Sequence, residues 1–360
     1  MRTPKPIALL AALLLSACNA GNNADSPKAG ELGSGRTWFI EPGEDATEKM
    51  IEAMVGAAPG DTIEFDCAFY DLKTTLQLAN TEAIIIKGCG RNKTVLSFKD
   101  STQQVGILAV HVRGLVVVDL TVGDTDGNGL ELRAVDHATL SRVRAFWSSG
   151  GGRESATPIS AENYDNGVMD VECTKPATLD PRSPENEGRP ETQSRDYTVS
   201  DKSGRYGIYP VSSDNILVED SESIGASDAG IYVGQTNNTI IRNSRAAFNV
   251  FGFEIENVQG GEYYGNVAEC NTGGFLVYDL DGNLRQYGDR TRMYKNVSRN
   301  NNTYNFTEGG FVANVPPGSG MITLSYDRID IFDNEFRDNN TGGIIHASYQ
   351  LFPEGAGRPT

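Results

Sequence analysis

Positive charge is scarce in this chain: 31 Lys and Arg stand against 48 Asp and Glu, a formal net charge of −17. Such a surface repels a phosphate backbone, which excludes nucleic acid as a partner. Histidine is scarcer still, and His111, His137 and His346 fall at no zinc spacing and in no triad order. No apolar run reaches the roughly 20 residues of a comfortable membrane span; residues 7–15 come nearest. What is abundant is glycine, 40 in 360 residues, beside a hydrophobic content of 38%. That balance excludes disorder and points to a core built from many short segments rather than a few long helices.

The N-terminus reads as an export signal. Arg2 and Lys5 precede the apolar residues 7–15, and Leu15-Ser16-Ala17-Cys18 follows at once. The tetrapeptide resembles the lipobox of bacterial lipoproteins. That resemblance implies cleavage after residue 17, acylation of Cys18 and, with Asn19 next, sorting to the outer membrane. The expected organisation is a signal peptide over 1–17, a lipidated flexible tether over 18–36 and one domain over 37–360. Cys67, Cys89, Cys173 and Cys270 remain for an oxidising compartment, where three pairings are open. Cys67 and Cys89 lie 22 residues apart, one repeat, so a bond between neighbouring turns and a pair of buried free thiols are both compatible with the spacing.

Glycines open short apolar stretches at Gly106, Gly129, Gly207, Gly230, Gly252, Gly274, Gly310 and Gly343, with intervals of 23, 23, 22 and 22 residues among them. One residue on stand Ile107, Leu130, Ile208, Ile231, Phe253, Phe275, Phe311 and Ile344; three residues on stand Ala109, Leu132, Pro210, Val233, Ile255, Val277 and Ala313. Period 2 makes these the inward positions and turns the alternate residues outward. A second strand follows in each repeat, ending at Asp119, Asp220, Asn243, Asn266, Asn296 or Asn334, with Arg142 as the exception. Asn and Asp tolerate left-handed turns and stack as amide ladders, so these residues are read as scaffold.

Short strands, Asn/Gly/Asp turns and a 22–23 residue repeat describe an all-β parallel β-helix of roughly nine rungs rising about 4.8 Å each. Residues 44–57 carry Ala46, Met50, Ala53, Met54 and Ala57 at near-helical spacing, an amphipathic cap for the first rung. The stretch IEPGEDATEKMIEAMVGAAPGDTIEF resembles the cap-and-first-coil opening of pectate-lyase-like right-handed β-helix proteins. TVLSF, GIYPV, SIGASDAGIYVGQ, EIENV and NNTGG are similar to the coils of bacterial parallel β-helix repeat lipoproteins. The resemblance covers most of 37–348 and implies the fold. It leaves the reaction open among lyase, hydrolase, epimerase and plain binding protein.

The outward positions define a strip of Glu131, Arg133, Tyr209, Tyr232, Glu254, Glu256, Tyr278 and Asn314. Rings for sugar faces and carboxylates for hydroxyls suit an extended polysaccharide. Glu254 and Glu256 share a face at about 7 Å, compatible with the roughly 6.5–9.5 Å of inverting glycoside hydrolysis. Asp228 and Asp279 extend that cluster, and Arg133 is placed to neutralise a substrate carboxylate. Glu254, Glu256, Asp228 and Arg133 are thus the catalytic candidates, and Glu131, Tyr209, Tyr232, Tyr278 and Asn314 the substrate-binding ones. Insertions flank the strip: about 152–203, with no core pattern over 174–203, and loops near 281–290 and 314–319.

No cofactor is evident. Asp124-Thr125-Asp126-Gly127-Asn128-Gly129 resembles half an EF-hand loop, but Val135 stands where the glutamate belongs. Calcium enters only as the bridge an acidic strip requires toward a polyanion. Two functions remain: a lipid-anchored envelope protein that binds, and in one version modifies, a polysaccharide, or a non-enzymatic scaffold docking an envelope protein through the same strip.

Overall fold

The structure, a computed structural model, describes residues 32–164 and 167–348; the signal peptide, Cys18 and most of the tether lie outside them. Its strands stack in parallel rungs as a right-handed parallel β-helix. One sheet of nine strands, here the site sheet, runs the length of the rod: Leu76–Ala79, Ile107–Val110, Leu130–Arg133, Tyr206–Val211, Ala229–Gly234, Phe251–Glu256, Gly273–Tyr278, Ser319–Leu324 and Gly342–Ala347. The other two sides of each rung join into a 17-stranded sheet, because in Arg113–Gly123 and Asp136–Phe146 they run on as single strands of 11 residues.

Register fixes the bore. Leu130, Ile208, Ile231, Phe253, Phe275, Met321 and Ile344 stand directly above one another, and the Phe253 and Phe275 rings stack at 4.9 Å. Each of these side chains except the exposed Ile344 is buried, and such burial stabilises by about 1.5–3 kcal/mol apiece. Glycine recurs at the corner because nothing else fits: a Cβ on Gly230 would lie 2.9 Å from the Gly252 carbonyl oxygen, and one on Gly252 2.8 Å from that of Gly274.

Two readings of the repeat are corrected by this register. Gly310 opens no rung. Phe311–Asn314 is a single 3-10 turn in a loop, and Gly320 with Met321 continues the column instead. Gly310-Phe311 mimics the Gly-Phe of the two preceding rungs, whereas the true strand follows the Pro316-Pro317 break. The asparagine column is likewise two columns. Asp119, Arg142, Asp220, Asn243, Lys295 and Asp333 take positive φ, with Gly265 among them, whereas Asn266, Asn296 and Asn334 stand one residue later, after inward Tyr263 and Met293. Their amides form a ladder, Asn266 donating to Asn296 at 3.1 Å and Asn296 to Asn334 at 2.9 Å. A second ladder runs through Asn249, Asn271, Asn301 and Asn339 at 2.9–3.2 Å.

The helix Ala46–Gly56 closes one end, burying Ala46, Met50, Ala53 and Met54. Asp61 fixes its exit, accepting from Arg36 N at 2.7 Å, Trp38 Nε1 at 2.9 Å and Ala58 N at 3.0 Å. Cys67 is bonded to Cys89 on the adjacent rung, and Cys173 to Cys270. The second bond ties the long insertion to the rod. Although it lacks apolar periodicity, that insertion buries Ile159, Met169, Ala177, Tyr197 and Val199 against Phe146, Ile224, Phe248 and Cys270. Asp124 holds its start, accepting from Ser148 N at 2.7 Å, Ser148 Oγ at 2.8 Å and Ile159 N at 3.1 Å.

Candidate functional site

Two outward rows run along the site sheet. One carries Glu131, Tyr209, Tyr232, Glu254, Leu276 and Ile322; the other carries Arg133, Val211, Gly234, Glu256, Tyr278 and Leu324. The expected strip residues face outward, except Asn314, which sits exposed in the loop before Ser319–Leu324 and belongs to neither row.

The strip is not open along its length, contrary to expectation. Arg133 is exposed and Tyr206 and Tyr209 are half-buried, but Glu131, Tyr232, Glu254, Glu256, Tyr278 and Asp228 are buried. Residues 280–288 fold back along the rungs of Glu256, Gln235 and Asp214, and residues 302–318 cover the later rung of Tyr278. Phe311 stacks on Tyr278 at 5.3 Å, and Val312 and Val315 are buried in the same apolar cluster. The sign was present in the sequence: Leu276, Ile322 and Leu324 occupy outward positions, and a sheet apolar on both faces is a covered sheet.

The covered half assembles the acids. Glu256 Oε2 accepts from Tyr232 Oη at 2.7 Å and Tyr278 Oη at 3.0 Å, and its Oε1 from Asn283 Nδ2 at 2.5 Å. Glu254 is 1% exposed and its Oε1 has no hydrogen-bond partner. Burial, and then the neighbouring Asp228 and Glu256 carboxylates, push the Glu254 carboxyl well above the ordinary carboxylate range, which favours its protonated form. Asp228 is pushed the same way by burial, opposed by Arg205, whose Nη2 donates to Asp228 Oδ2 at 2.9 Å, and by Tyr206. Asp279 is not part of this group; it accepts from Gly288 N at 2.7 Å.

The rings form a continuous run. Tyr206 lies 4.5 Å from Tyr209, and Tyr209 4.6 Å from Tyr232. Burial pushes the Tyr209 phenol up to about 12, so it is a donor throughout the physiological range. Glu131 accepts from Asn128 at 2.7 Å and pairs with Arg133, leaving that guanidinium partly committed at the open end. Beyond Arg205 opens a cleft of about 630 Å³ between the two insertions, lined by Ser203, Arg205, Ser227, Lys202, Glu154 and Glu308.

Arg205, Tyr206 and Asn283 were not among the sequence candidates. Arg205 was reachable by the repeat, since it stands 23 residues before Asp228 at the same offset from its glycine. Asn283 was not, because a loop residue has no repeat position. Among the described residues, no group of three or more His, Cys, Asp or Glu is arranged to hold a metal ion.

No protein family and no curated protein matches the chain by sequence. Solved structures do match it by shape. A polygalacturonase from Erwinia carotovora aligns over 91% of this chain and 99% of its own, at 10% identity and a TM-score of 0.50. The mannuronan C-5 epimerase A-module of Azotobacter vinelandii aligns over 88% and 79%, at 14% identity and a TM-score of 0.47. An exopolygalacturonase from Thermotoga maritima aligns over 94% and 82%, at 9% and 0.42. At these identities the likeness establishes the right-handed β-helix fold and leaves the chemistry to the site itself.

Proposed function

We propose that the protein is a lipid-anchored β-helix of the cell envelope that binds a polysaccharide at the site sheet and acts on it there. One observation carries this reading: the unbroken run of tyrosine rings from the half-buried Tyr206 and Tyr209 to Tyr232, which hydrogen-bonds Glu256 beside the buried Glu254 carboxyl. A sugar stacked on the open rings, with Arg133 and Arg205 at its flanks, lies next to a proton donor and a hydrogen-bonded carboxyl on one strand. In this reading Glu254 protonates the departing glycosidic oxygen as its bond to the anomeric carbon breaks, and Glu256 takes a proton from the water that forms the new bond there. The scaffold shared with a polygalacturonase supports the substrate class. The anchor in this reading is Cys18 and the location the outer membrane. Calcium, if used, would be brought with an anionic glycan.

The test is a glycan array probed with the full chain, with and without calcium, followed by turnover of any bound glycan. Binding by wild-type protein, and turnover lost in Glu254→Gln, is the expected result. No glycan bound in either condition sinks the reading.

A second reading, a scaffold that docks an envelope protein, is favoured by the far end of the rod. There the last rung leaves Phe332 38% and Ile344 50% exposed among the described residues. A co-purifying protein lost on Ile344→Asp, with no glycan bound, would decide for it.

A further inference from the structure

Residues 280–288 leave the site sheet after Tyr278 and run back along the corner of earlier rungs. Asn283 Nδ2 donates to Glu256 Oε1 at 2.5 Å and to Asn257 Oδ1 at 3.1 Å. Leu284 N donates to Gln235 Oε1 at 3.1 Å. Arg285 reaches furthest, its Nη2 donating to Asp214 Oδ2 at 3.0 Å and its Nη1 to the Ser213 carbonyl at 3.2 Å. Three successive residues are thus pinned to three different rungs by polar contacts.

The crest carries the opposite chemistry. Leu284 is 93% exposed, so no apolar burial holds it down. The Leu284 bond faces solvent and the Arg285 and Asp214 side chains are each 34% exposed, and a partly solvated ion pair holds weakly, which makes such a segment easier to open than one with a buried apolar anchor. The other cover is different in kind, for Phe311 stacks on Tyr278 and Val312 and Val315 are buried beneath it. Beneath the crest, the Asn283 amide meets Glu256 where an O–H or N–H of a ligand would donate.

We propose that residues 281–287 are a strap that lifts to admit a ligand to the Asp228, Glu254 and Glu256 cluster, the Asn283 amide holding the place of a ligand hydroxyl on Glu256 while the strap is closed. This rests on the cluster being the ligand site proposed above. Arg285 and its partner Asp214 act as the latch, two rungs from Gln259, the residue that starts the strand after Glu256.

Access can be read without any glycan. Carbodiimide coupling of glycine ethyl ester to accessible carboxyls in the full chain, located by peptide mass spectrometry, is expected to rise about fivefold at Glu256 in Arg285→Ala and in Asn283→Ala. Glu222, enclosed by Arg144 and Arg245, serves as the unchanged control. Equal labelling of Glu256 in the wild type and both variants overturns the strap. In a second arm, a glycan bound by the wild type should associate faster with Arg285→Ala; equal association rates also overturn it. Increased labelling with no glycan bound by any form leaves the strap standing and removes the polysaccharide reading instead.

Discussion

Glu254 and Glu256 stand two residues apart on one face of one strand and meet opposite surroundings. Glu256 accepts three hydrogen bonds, from Tyr232, Tyr278 and Asn283, while Glu254 Oε1 accepts none. Burial, and then the neighbouring Asp228 and Glu256 carboxylates, push the Glu254 carboxyl well above the ordinary carboxylate range, which makes it a liability to stability as well as a candidate acid.

That liability has a sign. A carboxyl whose folded pKa is raised keeps a proton that the unfolded chain releases, so stability is greatest below the unfolded value of 4.5 and falls as pH rises from there toward the folded value. Within that window one such group costs about 1.4 kcal/mol per pH unit. Glu254→Gln should therefore match the wild type near pH 4 and melt higher at pH 7. Parallel melting profiles from pH 4 to 8 would show that the Glu254 proton is not held.

The asparagine ladders supply a contrast between two residues of the same type. Asn271 receives and donates along its column and bonds the Ala246 carbonyl at 3.0 Å, so Asn271→Ala should cost about 1–3 kcal/mol in urea unfolding. Asn314 is exposed in its loop, and Asn314→Ala should fall within about 0.5 kcal/mol of wild type. Equal effects would mean that the ladder is not a structural element.

Ile231 is fully buried in the bore between Ile208 and Phe253. Ile231→Asp puts an unpaired charge there and should prevent folding. A soluble variant with an intact β-sheet circular dichroism spectrum would contradict the inward register.

The bond between Cys173 and Cys270 closes a loop of 97 residues, against 22 for Cys67 and Cys89. In the chain-entropy account the longer loop is worth about 4–5 kcal/mol and the shorter about 3. Cys173→Ser should lower the melting temperature more than Cys67→Ser. The reverse order would show that the insertion is already fixed by its apolar contacts.

Cys18→Ser should release the protein from membranes, because acyl chains supply affinity at about 0.8 kcal/mol per buried CH₂. Unchanged fractionation would remove the lipid anchor.

The rod was legible because its rule is local and repeated: Gly followed by Leu, Ile or Phe, then an apolar residue two further on, names the bore at Gly129, Gly207, Gly230, Gly252 and Gly274 alike. Where a loop copied that rule, as at Gly310-Phe311, only the pairing of Met321 with Phe275 separates decoy from rung. The direction of Tyr232, Glu254 and Glu256 followed from period 2, but their burial did not, since it depends on chain segments 25 to 60 residues later returning over them. Likewise the unequal surroundings of the two glutamates come from Asn283 and two tyrosines on different rungs, a convergence that no window of sequence contains.

The glycine corner also sets how the rod can change over generations. Each corner glycine from Gly129 to Gly320 is held by the carbonyl of the glycine one coil further on, so a side chain there injures two coils at once. Among the described residues, the neighbour at Gly343 is the Phe336 side chain, 3.3 Å from an added Cβ. Its constraint is therefore looser by one partner. Duplication of a whole coil at this end would at once make Gly343 obligatory and free its successor, so the rod can lengthen by copying its own last turn without retuning any turn already laid down.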